Sequence, residues 1–219
     1  LDRSGYFETV TLSEDDLKRN DMYRANAQRA KAQSRFADYH EYLLSLEMTA
    51  EIGDFSPLYL QRITQLTNKS NQFNLTTKRY TAEQMEEVYN SDEYIRLYGK
   101  LYDKFGDNGV VAVTIGKIDS EDKGRLDIEL WLMSCRVLKR DMELAMLDSL
   151  VAQAKKRGIR EIYGHYYPTA KNKMVAGLYE SFGFEKISQD EEGNTAWRLL
   201  VEGYEDKNTV IKVKEEHYA

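Results

Sequence analysis

One stretch restricts the fold more than any other: a strand, an amphipathic helix and a second strand in direct succession between residues 126 and 166. Leu126, Ile128, Leu130 and Leu132 alternate with Asp127, Glu129, Trp131 and Met133. That is the period-two pattern of a strand, expected to run on to Cys135. Met142, Met146, Leu150 and Ala154, joined by Leu147 and Val151, then recur at helical spacing as far as Gly158, a residue suited to stopping a helix. Residues 159–166 read as strand again. Two strands linked through such a helix lie parallel as neighbours in one sheet, so this stretch already demands an α/β domain.

The sequence around it fills in that domain. Residues 46–52 predict a short strand, and Leu58, Leu60, Ile63 and Leu66 predict a helix. A Thr-x-x-Gln capping box from Thr81 to Gln84 opens a second helix. Residues 94–105 and 110–118 flank Gly106-Asp107-Asn108-Gly109, a hairpin signal. A last helix over residues 171–182 is expected to end at Gly183, with a strand over 195–201 after it. Residues 204–219 form a charged tail in which Val210, Ile211 and Val213 offer an edge strand. The first 45 residues differ: after Ser13, a helix start, residues 24–35 hold no large apolar side chain, so residues 1–45 read as a helical connector. The α/β domain is placed at residues 46–203.

Composition removes several classes. No apolar run approaches the roughly 20 residues of a membrane span. With 31 Lys+Arg against 37 Asp+Glu, the net charge of -6 argues against a nucleic-acid binder. The one cysteine, Cys135, excludes an internal disulfide framework and suits a cytoplasmic setting. His40, His165 and His217 lie too far apart for zinc-ligand spacing, so no metal is expected. The chain opens at Leu1 rather than Met and is expected to be a piece of something longer. No GxSxG turn supports hydrolase chemistry.

The element order resembles the GNAT acyltransferase fold, a mixed and mostly antiparallel sheet flanked by helices. Tyr179-Glu180-Ser181-Phe182-Gly183-Phe184 is similar to the end of that fold's last helix. The resemblance implies that Tyr179 protonates a departing thiolate and that Asn172 contacts the cofactor arm. Four longer matches, residues 65–80, 105–113, 129–143 and 166–184, resemble the carboxy-terminal half of FkbH-like (HAD-IIIC) proteins of methoxymalonyl-ACP and glyceryl-ACP biosynthesis. That resemblance implies a haloacid-dehalogenase (HAD) type domain on the amino-terminal side, acyl carrier protein as partner, and a role in loading a glyceryl or related acyl unit. The HAD nucleophile motif is absent from this chain.

Where that family reads Arg-Val-Leu-Gly-Arg-Gly, this chain reads Arg136-Val137-Leu138-Lys139-Arg140-Asp141. Lost glycines weaken a pyrophosphate loop, and Asp141 as N-cap would occupy its amide donors. Arg136, Lys139 and Arg140 partly compensate, which favours a phosphopantetheine arm over free CoA. Residues 71–77 are polar, and Asn71, Gln72, Asn74, Thr76 and also Asn108 are read as substrate contacts. Cys135 beside three cations at a helix start is a candidate acyl relay, and His165 a candidate base. The alternative is a carrier-protein docking module with a degenerate fold and no turnover.

Overall fold

The computed structural model describes residues 14–215; the Ser13 helix start and His217 lie outside them. The chain divides into two units between Tyr42 and Leu43. The first carries α1 (Glu14–Gln33) and the start of α2 (Tyr39–Ser45), with the Tyr42 ring in contact with those of Phe36 and Tyr39.

The second unit is built on one sheet of β1 (Thr49–Gly53), β2 (Phe73–Asn74), β3 (Tyr94–Asp103), β4 (Gly106–Ile118), β5 (Arg125–Met133), β6 (Glu161–Tyr166), β7 (Glu185–Gln189), β8 (Thr195–Leu200) and β9 (Lys212–Glu215). The order across it is β7-β8-β6-β5-β4-β3-β1-β9, with β2 paired to β5 off that path. β5 and β6 are parallel neighbours, joined through α5 (Met142–Lys156), as the alternation requires. β1 and β9 also pair in parallel, so part of the segment read as a tail completes the sheet, with Val210 and Ile211 buried beside it.

Helices cover both faces. Tyr98 and Gly99 sit on opposite sides of β3. On the Tyr98 side, α3 (Pro57–Lys69) and α4 (Ala82–Asn90) bring Ile63, Leu66, Met85 and Val88 onto Val113, Ile115, Leu130 and Leu132. The Thr81–Gln84 capping box forms in both directions. On the Gly99 side, the side-chain tips of Met142 and Met146 of α5 lie against the backbone, in the space a β-carbon at Gly99 would take.

Three local expectations are corrected. The hairpin turns at Lys104-Phe105, since Asp103 pairs with Gly106 and Tyr102 with Asp107. Asn108 and Gly109 form an irregularity within β4, where Gly109 takes φ 69. The last helix is broken into a 3-10 turn (Lys173–Val175) and α6 (Leu178–Ser181). It does stop at Gly183: that residue has φ 81, and the amides of Gly183 and Phe184 donate to the carbonyls of Glu180 and Tyr179. Those two bonds are a Schellman closure. β7 was not anticipated, because all five of its residues are exposed and show no alternation.

α5 also carries a buried acid. Glu143 Oε2 has no hydrogen-bond partner, and burial pushes its carboxyl up, its own backbone amide opposing and Asp141 adding to the rise. A raised carboxylate costs stability as pH climbs from the ordinary glutamate range through the raised value, and costs nothing below that range, where both states hold the proton. Glu143→Gln is therefore expected to stabilise the protein by about 1 kcal/mol at pH 7, with the gain vanishing near pH 4. Urea melts at the two pH values check this.

Candidate functional site

β5 and β6 pair only at their beginnings, Arg125 with Glu161, Leu126 with Ile162 and Asp127 with Tyr163. Beyond Asp127 they separate. Parting strands leave backbone groups that must find other partners, and the chain supplies them from residues 73–77. Phe73 and Asn74 pair with Met133 and Leu132. Since β4 already pairs with Met133 and Leu132 on one edge, β2 takes the edge that β6 has left. The Leu75 amide donates to the Trp131 carbonyl (3.1 Å) and the Thr76 hydroxyl to the Glu129 carbonyl (2.7 Å). From the other side, the Tyr167 amide donates to the Leu75 carbonyl (2.9 Å).

The segment read as a polar substrate loop is thus a buried strap in the plane of the sheet. Phe73 is 5% exposed, Asn74 and Leu75 not at all. Burying the two apolar side chains contributes about 2 kcal/mol each. Asn74 uses its carboxamide within the strap, its Oδ1 accepting from the Thr77 amide and its Nδ2 donating to the Ser70 carbonyl. Asn71 Oδ1 accepts from Arg79, and Gln72 is exposed.

Where the strap leaves the sheet, a pocket of about 430 Å³ opens, lined by Thr76, Lys78, Asp127, Ile128, Glu129, His165 and Tyr167. Two carboxylates dominate it. Asp127 is held by Arg125 through two bonds (2.8 and 2.7 Å), and its Oδ1 also faces His165 Nε2 at 3.4 Å. Arg125 in turn lies 4.0 Å over the Tyr163 ring. Burial would raise the Asp127 carboxyl, but bonds from His165 and Arg125 outweigh it and hold it below the usual range. With Nε2 on Asp127, His165 keeps Nδ1 for a proton.

Glu129 is an extra residue in β5, for Ile115 pairs with Leu130 and Gly116 with Ile128. This bulge aims its side chain at a different set of neighbours. Glu129 Oε2 accepts from Lys78 (2.6 Å) and from the Tyr80 hydroxyl (3.1 Å). Burial, then the Glu129 charge, pushes the Tyr80 phenol well above the tyrosine range, so it stays a donor. Two proton acceptors therefore share one pocket, each oriented by charged or hydrogen-bonding neighbours.

Of the residues read from sequence, the pocket gathers His165 and Thr76. The others lie elsewhere. Asn172 is fully buried and saturated: it donates to the carbonyls of Asn74 and Tyr167 (2.9 Å each) and accepts from the Thr169 amide and hydroxyl. It clamps the strap and leaves no atom for a cofactor. Tyr179 is 1% exposed among Trp131, Phe184 and Trp197. Its hydroxyl makes no hydrogen bond of ordinary geometry, and burial drives its phenol far upward, which the nearby His165 backbone amide only partly offsets. Its ring abuts Gly164, so it lies on the opposite face of β6 from the His165 side chain.

Cys135 is exposed on a 3-10 turn, Cys135–Val137. β5 ends at Met133 and α5 begins at Met142, so Cys135 does not stand at an α-helix start. Arg140 is buried and paired with the fully buried Asp103 carboxylate (3.1 Å), with Asn108 Oδ1 at 3.5 Å. Arg140 and Asn108 thus pin the loop to the hairpin. Asp141 makes no side-chain cap bond; it and Lys139 keep glycine-like backbone at φ 59 and φ 62, at about 1 kcal/mol each. Arg136 is exposed, and its charge adds to burial in lowering Arg62 on α3. Sequence reasoning missed Lys78, Asp127, Glu129 and Tyr167. The Asp127/Glu129 pair on the polar side of an alternating strand was the available signal.

No group of three His, Cys, Asp or Glu among the described residues is arranged to hold a metal ion, and none of their helices is long and apolar enough to cross a membrane. No protein-family model and no curated protein matches the chain. Solved structures do match. The ribosomal-protein-S18-alanine N-acetyltransferase from Escherichia coli aligns at 13% identity and TM-score 0.53, over 73% of this chain and 99% of that one. The GNAT domain of S. lividans PAT aligns at 16% and 0.53, over 68% and 89%. A spermidine N-acetyltransferase from Vibrio cholerae aligns at 14% and 0.51, over 71% and 94%. The fold is the GNAT fold.

Proposed function

We propose that this GNAT-fold chain is the acyl-transfer domain of an FkbH-like protein. In this reading it helps load a glyceryl or related acyl unit onto the phosphopantetheine thiol of acyl carrier protein, beside a HAD-type domain, with free CoA a poor donor. The observation that carries it is the pocket where β5 and β6 part, with His165 set against Asp127 and with Glu129 alongside. The carrier and the acyl class are proposed from the resemblance of residues 65–80, 105–113, 129–143 and 166–184 to FkbH-like proteins.

Transfer needs a base for the incoming thiol. His165 Nδ1 takes the thiol proton, the sulfur attacks the donor thioester carbon, and the old carbon–sulfur bond breaks as the departing sulfur recovers that proton from His165. Asp127 keeps the imidazole in the required tautomer, and Arg125 keeps Asp127 in place. Tyr179, sealed on the other face, takes no part in this scheme.

Mass spectrometry of carrier protein after incubation with acyl thioester tests the reading. His165→Gln is expected to slow transfer about 100-fold, and Asp127→Asn about 10-fold. Unchanged transfer by Cys135→Ser removes the relay. The docking reading draws on one observation, that Arg140 is committed to Asp103 rather than free for a ligand phosphate. Carrier binding without any turnover would favour it.

A further inference from the structure

We propose that the strap formed by residues 73–77 decides how an acyl donor reaches the pocket: the thioester enters end-on from the open face, and no amide-bearing arm pairs with β5. This rests on the acyl-transfer reading of the pocket.

An extended chain of amides is the kind of ligand that adds to an exposed strand edge. After Asp127, β5 would offer such an edge, but this chain uses it itself. The strap engages β5 at Met133, Leu132, Trp131 and Glu129 in turn. On its far side it is bonded to Tyr167, and one amide hydrogen of Asn172 holds its Asn74 carbonyl while the other holds the Tyr167 carbonyl. Phe73, Asn74 and Leu75 are interior residues, so the strap is part of the core and not a cover over it.

The strap also separates the two faces of the sheet. Tyr179 lies on one side of β6, and His165 with its pocket on the other. The gap between β5 and β6 is the passage that would join them, and the strap fills it. What stays open is the pocket mouth, where Lys78 and Tyr167 are exposed and His165 partly so. A donor entering there meets Lys78, Glu129, Asp127 and His165 with its acyl end. The pocket therefore reads the acyl group and the few atoms after the sulfur, and discrimination between free and carrier-borne donors falls to surfaces outside it.

Two probes test this on the whole chain: acetyl-CoA, and the short thioester S-acetyl-N-acetylcysteamine. Calorimetry is expected to give the two affinities within about threefold of each other, because both present the same end. Amide exchange of Leu75 and Tyr167 is expected to stay slow, on the order of 10³-fold protected or more, with either probe bound. NMR shifts should centre on Lys78, Glu129 and His165. Loss of protection at Leu75 or Tyr167 on adding either probe would show an arm displacing the strap, and acetyl-CoA binding 100-fold tighter would show that the arm itself is read at the site; either result overturns the proposal. Silence from both probes overturns it as well. The carrier-protein transfer assay, read separately, then tells whether acyl transfer itself survives.

Discussion

Gly164→Ala lowers the stability of the α/β unit by about 3 kcal/mol, a drop of about 10 °C in melting temperature for a chain of this size. A β-carbon at that position falls inside contact distance of the Tyr179 ring at Cζ and Cε1, and 2.9 Å from Cδ1. Neither partner has room to yield. The tyrosine is hemmed by Phe184 at 4.9 Å, Trp197 at 6.4 Å and Trp131 at 6.5 Å between ring centroids. Its helix is fixed by the closure at Gly183, and β6 is fixed to β8 through pairing of Gly164 with Trp197. Interiors packed to this density transmit such an overlap instead of absorbing it. The chain's two tryptophans, Trp131 and Trp197, border this cluster, so fluorescence-monitored melting reads the change directly. Gly164→Ala combined with Tyr179→Leu should cost less than the sum of the single changes, since the overlap is removed. A single variant within 1 kcal/mol of the parent would falsify the close approach.

Asn172→Ala is expected to cost about 4 kcal/mol, because it strands several buried groups at once. The carbonyls of Asn74 and Tyr167 lose their donor, and the Thr169 amide and hydroxyl lose their acceptor. Asn172→Asp keeps the shape and the accepting oxygen but loses both donors, so it should be nearly as damaging. A cofactor-contact role would predict the opposite, a stable variant with weakened ligand binding. Urea denaturation separates the two roles, and faster amide exchange at Leu75 should accompany the loss as the strap loosens. Full retention of the urea midpoint in both variants would return Asn172 to the solvent side of the argument.

The pocket was legible in part. His165 at the end of a strand and Thr76 in a polar run drew notice from type and position alone. Asp127 and Glu129 did not, because on an alternating strand the polar positions read as the solvent side. Their role comes from the Glu129 bulge and from the departure of β6 after Asp127. Arg140 illustrates the converse. In sequence it is one of three adjacent cations, and in the fold it faces Asp103, 37 positions earlier, whose carboxylate is wholly buried.

The sequence by itself determined the elements whose signals are local. The alternation of β5, the helical period of α5, the Thr81–Gln84 box and the glycine stop at Gly183 each depend on residues within one or two turns. Those elements in order are enough to require the parallel β5–β6 pair. Tertiary structure alone decided what fills the space where that pair opens. Residues 71–77 carry asparagine and threonine that satisfy turns as readily as strands, so nothing local marks them as a strap. Their partners are the carbonyls of Trp131 and Glu129 and the amide of Tyr167, and Asn172 locks Asn74 from 98 positions away. A backbone edge becomes vacant only after the strands around it have assembled and diverged, and short-range sequence patterns carry no record of that vacancy.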